Sequence, residues 1–157
     1  MYKLFATDRS MVSLVQRVVL AAVIFPHGAQ KLLGWFGGPG FDASMGMLSQ
    51  ALPSPIAFLV ILAESLGALA LAFGLLSRVT AFGVAAVMVG AVLTVHLGNG
   101  FFMNWAGTQP GEGVEYHVLA LALAIPLIVK GGGALSLDRL IAAKLGAGPE
   151  RSRAALA

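Results

Sequence analysis

The chain has no cysteine. That excludes disulfides, thiolate metal sites, Cys-ligated iron–sulfur clusters and any dithiol relay. Charge is also scarce. Lys, Arg, Asp and Glu make up 11% of the 157 residues, against roughly 25% in a soluble domain. So few charges cannot build a water-facing surface, and 58% of the residues are hydrophobic. Lipid is therefore the solvent for much of the chain. The net charge is +3 and the pI is near 9.7, but the basic residues flank apolar segments instead of clustering on a polar face. A nucleic-acid partner is not expected.

What is present is four apolar segments. They run from about Met11 to Leu33, Pro55 to Leu76, Val79 to Leu97 and Val114 to Val129. Each approaches the ~20 residues that cross a hydrocarbon core, with the fourth at the short end. The apolar core of the first is followed by Pro26-His27-Gly28-Ala29-Gln30-Lys31. No small-residue cleavage site stands where a signal peptide needs one, so this segment is expected to be retained. The expected fold class is all-α: a four-helix transmembrane bundle with a short C-terminal amphipathic helix. One membrane domain is expected over residues 1–146, with 147–157 a disordered tail.

Loop charges set the orientation. Lys3, Arg9 and Arg17 stand before or early in the first segment, Arg78 between the second and third, and Lys130, Arg139, Lys144, Arg151 and Arg153 after the fourth. An even number of spans puts all of these on one side. That side is expected to be cytoplasmic, with both termini, in a plasma (inner) membrane. The long loops 34–54 and 98–113 then face outward. They carry Trp35 and Trp105 among glycines, which reads as an interfacial aromatic belt, or as a lid over an outward pocket. Asp42-Ala43-Ser44 is expected to cap a surface helix reaching Ala51 and ended by Pro53. Ser136 is expected to cap the tail helix, which Gly146 ends. Its apolar stripe is Leu137, Leu140, Ile141 and Leu145.

Ionisable residues inside the spans cost ~2.5–3.5 kcal/mol each at mid-membrane on insertion scales. They need a partner or a use. Arg17, Leu20, Ile24, His27 and Lys31 follow one helical stripe that should face the bundle interior. Glu64 lies near the middle of the second segment. One turn on, Gly67 and Ala68 leave room for a helix or a ligand. With the topology above, His27, His96 and His117 all fall in the outer half of the bilayer, on three different helices. Glu64 lies about one turn deeper than His27. The plainer alternatives are that Arg17 and Lys31 snorkel to opposite interfaces. His96 and His117 can be ordinary interfacial residues, and Glu64 can be held in a buried pair with Arg17 or His27.

Several blocks then recur in a recognisable order. They are Arg17, Phe25-Pro26-His27-Gly28-Ala29-Gln30-Lys31-Leu32, Gly37-Gly38, Ala63-Glu64-Ser65-Leu66-Gly67 and Gly74-Leu75-Leu76-Ser77-Arg78. His96-Leu97-Gly98-Asn99-Gly100-Phe101-Phe102, Glu115, Gly131-Gly132-Gly133 and Ser136-Leu137-Asp138 complete the set. From roughly Gln16 to Leu140 the chain resembles the DoxX family of small four-span membrane proteins. That resemblance implies a membrane role: one branch is linked to thiosulfate:quinone oxidoreduction, and others to oxidative-stress complexes or quinone stress. More distant relatives are chaperones or cargo receptors without redox chemistry.

The leading expectation is a redox-associated subunit, with a homo-oligomer as a further expectation, that binds a quinone or similar ring in the outer half of the bundle. Glu64, His27 and His96 are its catalytic candidates. Arg17, Lys31, Asn99, Glu115 and His117 are its ligand-binding candidates. Histidines and Lys31 can donate hydrogen bonds or protons to a quinone carbonyl, and a buried Glu64 can relay a proton. No flavin is expected, because membrane spans offer no glycine-rich strand-to-helix turn. Electrons would come from a soluble donor or a partner redox subunit. The second expectation is a non-enzymatic membrane assembly factor or chaperone. The third is a haem or metal site built from His27, His96 and His117 with Glu64 nearby; it ranks last because no helix carries a paired-histidine motif.

Overall fold

The computed structural model describes residues 2–145, and among these every regular element is helical. After a short turn at Tyr2–Phe5 come α1 (Met11–Leu33), α2 (Gly40–Leu48), α3 (Ser54–Ala72), α4 (Ser77–Asn99), α5 (Glu115–Lys130) and α6 (Leu137–Lys144). The helices α1, α3 and α4 are long and apolar enough to cross a membrane. The fourth expected span, α5, has 16 residues. It rises only ~24 Å, less than the ~30 Å of a hydrocarbon core. It is nonetheless integral to the bundle, packed along α4 and α1.

The core is the inner stripe of each helix. Leu20 and Ile24 of α1, Leu71 of α3, Val84 and Met88 of α4, and Ala124 and Leu127 of α5 are buried together. The outer surface is equally apolar, with Val15, Leu59, Phe82, Leu93, Leu119 and Val129 all exposed. Apolar groups inside and outside alike are the pattern of a bundle solvated by lipid. Trp35 and Trp105 stand exposed in the two long loops, where amphipathic rings suit a membrane–water boundary.

Two arginines close one end of the bundle. Arg17 is 1% exposed, and its guanidinium donates to the carbonyls of Gly132 (2.8 Å), Ala134 (3.1 Å) and Leu135 (2.8 Å), and to that of Ala72. Arg78 donates to Ile128 (2.7 Å) and Val129 (2.5 Å) at the end of α5, and to Ala6 (3.0 Å). Helix C-termini leave carbonyls without internal partners, and cations there also oppose the helix dipole. Asp138 does the reverse for α4: its carboxylate accepts from the backbone N–H of Leu76 (2.6 Å) and Ser77 (2.8 Å). The Gly131–Gly133 segment threads between these groups and is fully buried. A side chain on Gly133 would overlap Ser10 and Ser13.

Three boundaries differ from expectation. The second span stops at Ala72, not Leu76, because Gly74 (φ 65°) and Leu76 (φ 50°) turn the chain tightly into α4. The surface helix α2 starts at Gly40 and ends at Leu48, and Pro39 precedes it with no side-chain cap. Asp42 therefore lies in its first turn and does not cap it, while Ser44 is buried. The tail helix begins as expected, with Ser136 Oγ accepting from the Arg139 N–H. Its expected stop at Gly146 and the tail 147–157 lie outside the described residues.

Candidate functional site

The site begins with a close crossing of α1 and α3. A Cβ on Gly28 would overlap the Glu64 carbonyl and the Ser65 nitrogen. Only glycine allows the backbones to meet there. At the same level α3 widens into a π-helical turn over Ala63–Gly67, and Ser65 Oγ donates to the Ile61 carbonyl at 2.6 Å. The widened turn carries Glu64 inward, where it is 6% exposed. Single π-turns inside α-helices recur at functional sites.

The direct partner of Glu64 is Lys31, in the one ion pair among the described residues. The sequence pointed to Arg17 or His27 for this role. Arg17 is absorbed by carbonyls at the opposite end of the bundle. Lys31, one turn beyond Gly28, folds its long stem back toward Glu64 instead of reaching outward to water. His27 lies within electrostatic range of both members of the pair, but it is itself exposed at the bundle's side.

A second π-helical turn, Val92–His96, lies near the end of α4, just before its last turn at Leu97–Asn99. His96 and Asn99 meet on one atom, the Glu112 carbonyl oxygen, at 2.8 and 3.1 Å. The ring of His117, 5% exposed, lies 4.3 Å from that of His96 between centroids. Tyr116 lies 5.4 Å from His117 and 5.9 Å from His27. The three histidines from three helices are thus joined through Tyr116 into one file of polar rings. It leads from the long 98–113 loop to the neighbourhood of Glu64. Tyr116 Oη and His117 Nδ1 are buried without a hydrogen-bond partner among the described residues.

Tyr116 was not singled out from sequence, although it sits between two candidates, Glu115 and His117. The remaining candidates brace the loop. Glu115 accepts the Met103 N–H at 3.1 Å, and Glu112 accepts the Asn104 N–H at 2.6 Å. Asn99 holds the same loop through its shared carbonyl. Among the described residues no three His, Asp or Glu side chains gather as a metal-holding group.

Beside the ion pair, a groove of about 610 Å³ follows the seam between α3 and α4. Leu59, Ala63 and Gly67 form one wall, and Gly83, Val87 and Gly90 the other, with Leu48 at the end of α2 and Leu52 just beyond it also lining it. Of its lining residues only Lys31 and Glu64 carry charge. The volume lies within the ~300–1,000 Å³ of small-molecule sites, which are likewise mostly apolar with a few placed polar groups.

Residues 12–97, more than half of the chain, match the DoxX family. The chain is similar to "Putative oxidoreductase CatD" of Bacillus subtilis (strain 168), at 30% identity over 129 residues, 82% of this chain and 86% of the relative. It is also similar to "Inner membrane protein YqjF" of Escherichia coli (strain K12), at 34% identity over 133 residues, 82% of this chain and 90% of the relative. No solved structure matches it. With the helical bundle, the inward Glu64 and these relatives together, the chain belongs to the DoxX family of membrane proteins.

Proposed function

We propose that the α3–α4 groove binds a membrane quinone, and that the chain serves as a redox-associated subunit in which Lys31 and Glu64 meet the quinone ring. One observation carries this reading: a mostly apolar groove, with Thr80 and Thr94 its only uncharged polar side chains, contains a single ion pair. An isoprenoid tail suits walls of Leu59, Val87 and Gly90. A quinone ring needs a donor at its carbonyl, and the Lys31 ammonium is a donor at the groove wall.

A quinone supplies the redox step, taking two electrons and two protons to become the quinol. The chain's own residues manage the protons. Glu64 stands beside the groove in its pair with Lys31, and His27, Tyr116, His117 and His96 form a file of polar rings between Glu64 and the outer loop. Electrons would come from a soluble donor or a partner subunit. The naming of CatD as a putative oxidoreductase supports a redox role, and that of YqjF an inner-membrane location. Loop charges favour both termini in the cytoplasm.

The test is a lipid extract of gently purified protein, analysed by mass spectrometry against an extract of the Glu64→Gln variant. The reading expects quinone to accompany the parent protein and to be depleted in the variant. Equal quinone in both would set it aside.

A further inference from the structure

A second cavity lies at the opposite end of the bundle from the Glu64 site. It holds about 1000 Å³ between the N-terminal segment, the start of α4, the end of α5 and α6. Arg9, Arg78, Lys130 and Arg139 line it, with Asp8 as the only acid in the lining. Asp8 is already engaged, accepting the Ser10 N–H at 2.9 Å. Among the described residues none of the four cations is paired with a carboxylate. Arg78 spends its donors on carbonyls, so its contribution is charge. Arg9 and Lys130 are exposed and Arg139 half-buried.

Concentrated positive charge in a concave site calls for an anion. The rim says which kind. Leu137 and Leu140 line the same cavity and are 40% and 61% exposed. They lie on α6, whose apolar stripe runs beside its basic residues. A soluble phosphate compound would find no use for that apolar rim. A glycerophospholipid would use both parts, with its phosphate among the cations and its acyl chains along the leucines and the bundle's apolar sides.

We propose that this cleft is a binding site for one anionic phospholipid of the adjacent leaflet, docking α6 onto the membrane. The site is independent of the quinone reading, since the two cavities share no lining residue.

The test uses the full chain in a neutral detergent, with native mass spectrometry after adding equal phosphatidylglycerol and phosphatidylcholine. The parent protein should retain one phosphatidylglycerol in preference to phosphatidylcholine. Arg9→Gln with Arg139→Gln should weaken that retention about tenfold or more. Arg9→Lys with Arg139→Lys keeps the charge and should keep the preference, which guards against a loss caused by misfolding. Equal retention of the two lipids, an unchanged preference in the Gln pair, or a lost preference in a folded Lys pair would each overturn the proposal. So would displacement of the lipid by millimolar inorganic phosphate, which would make the cleft a site for a free anion.

Discussion

The backbone of Gly28 rests against the backbone of Glu64, so closely that a single methyl group could not fit between them. This contact sets where α1 and α3 cross. It also sets the level at which Lys31 and Glu64 find each other. The position of the polar cluster is therefore fixed by a residue without a side chain.

Gly28→Ala should accordingly force the helices apart. Overpacking of this kind costs about 1–3 kcal/mol, and thermal unfolding in detergent should show the lower midpoint. Gly46 of α2 has nothing near its would-be Cβ, so Gly46→Ala should leave the midpoint unchanged or raise it slightly. Equal behaviour of the two variants would mean that the crossing is not tight.

The ion pair makes a separate prediction. Lys31→Met leaves a carboxylate with 8% side-chain exposure without its cation, and losing one partner of a buried pair costs about 3–5 kcal/mol. Adding Glu64→Leu should restore most of that stability, because the unpaired charge is gone. A double variant no more stable than Lys31→Met would show that the pair is not the source of the loss.

Much of this architecture was legible in the sequence, for identifiable reasons. Long apolar runs located α1, α3 and α4, because a membrane span must be apolar along its length. Of the expected stripe of Arg17, Leu20, Ile24, His27 and Lys31, the first three are buried, because buried faces repeat with the helical period, whereas His27 is exposed and Lys31 half-buried. The partner of Glu64 was not legible. Helical spacing gives the face of Lys31 but not the direction in which a four-carbon stem turns. The two π-helical turns were also hidden, since widening a helix by one residue leaves no mark in an apolar run. Tyr116 was passed over because an aromatic residue at a span end reads first as an interfacial anchor. Asn99 and Glu115 are polar residues at the right level, but their bonds to loop backbone depend on how residues 100–113 fold back, which periodicity does not encode.

Arg17 separates stability from ligand binding. It holds four carbonyls at the end of the bundle remote from Glu64. Arg17→Leu should lower stability by at least about 3 kcal/mol, since each buried carbonyl left unpaired costs about 1–3 kcal/mol. Quinone binding per folded molecule should stay within about twofold of the parent. A folded Arg17→Leu protein with abolished binding would place this arginine in the ligand site.

Orientation can be read with reporter fusions. The Lys/Arg asymmetry predicts that a reporter after Arg78 and one after Gly111 fall on opposite sides of the membrane, the first in the cytoplasm. This also tests whether α5, short as it is, returns the chain across the bilayer. A reporter after Lys144 should match the one after Arg78, and a match with Gly111 instead would leave α5 outside the membrane.

In the proposed function, the groove and its ion pair together hold a quinone. Gly90 lines the groove and has open space at its would-be Cβ, so Gly90→Leu adds bulk to the groove while leaving the Lys31 and Glu64 side chains unaltered. The direct measurement is an equilibrium titration of a short-tailed quinone into the parent protein, Gly90→Leu and Glu64→Gln, each shown to be folded. The parent should bind saturably with one site. Both variants should bind at least about tenfold more weakly, a loss of roughly 1.4 kcal/mol or more. Parent-like binding by folded Gly90→Leu and Glu64→Gln would contradict the claim.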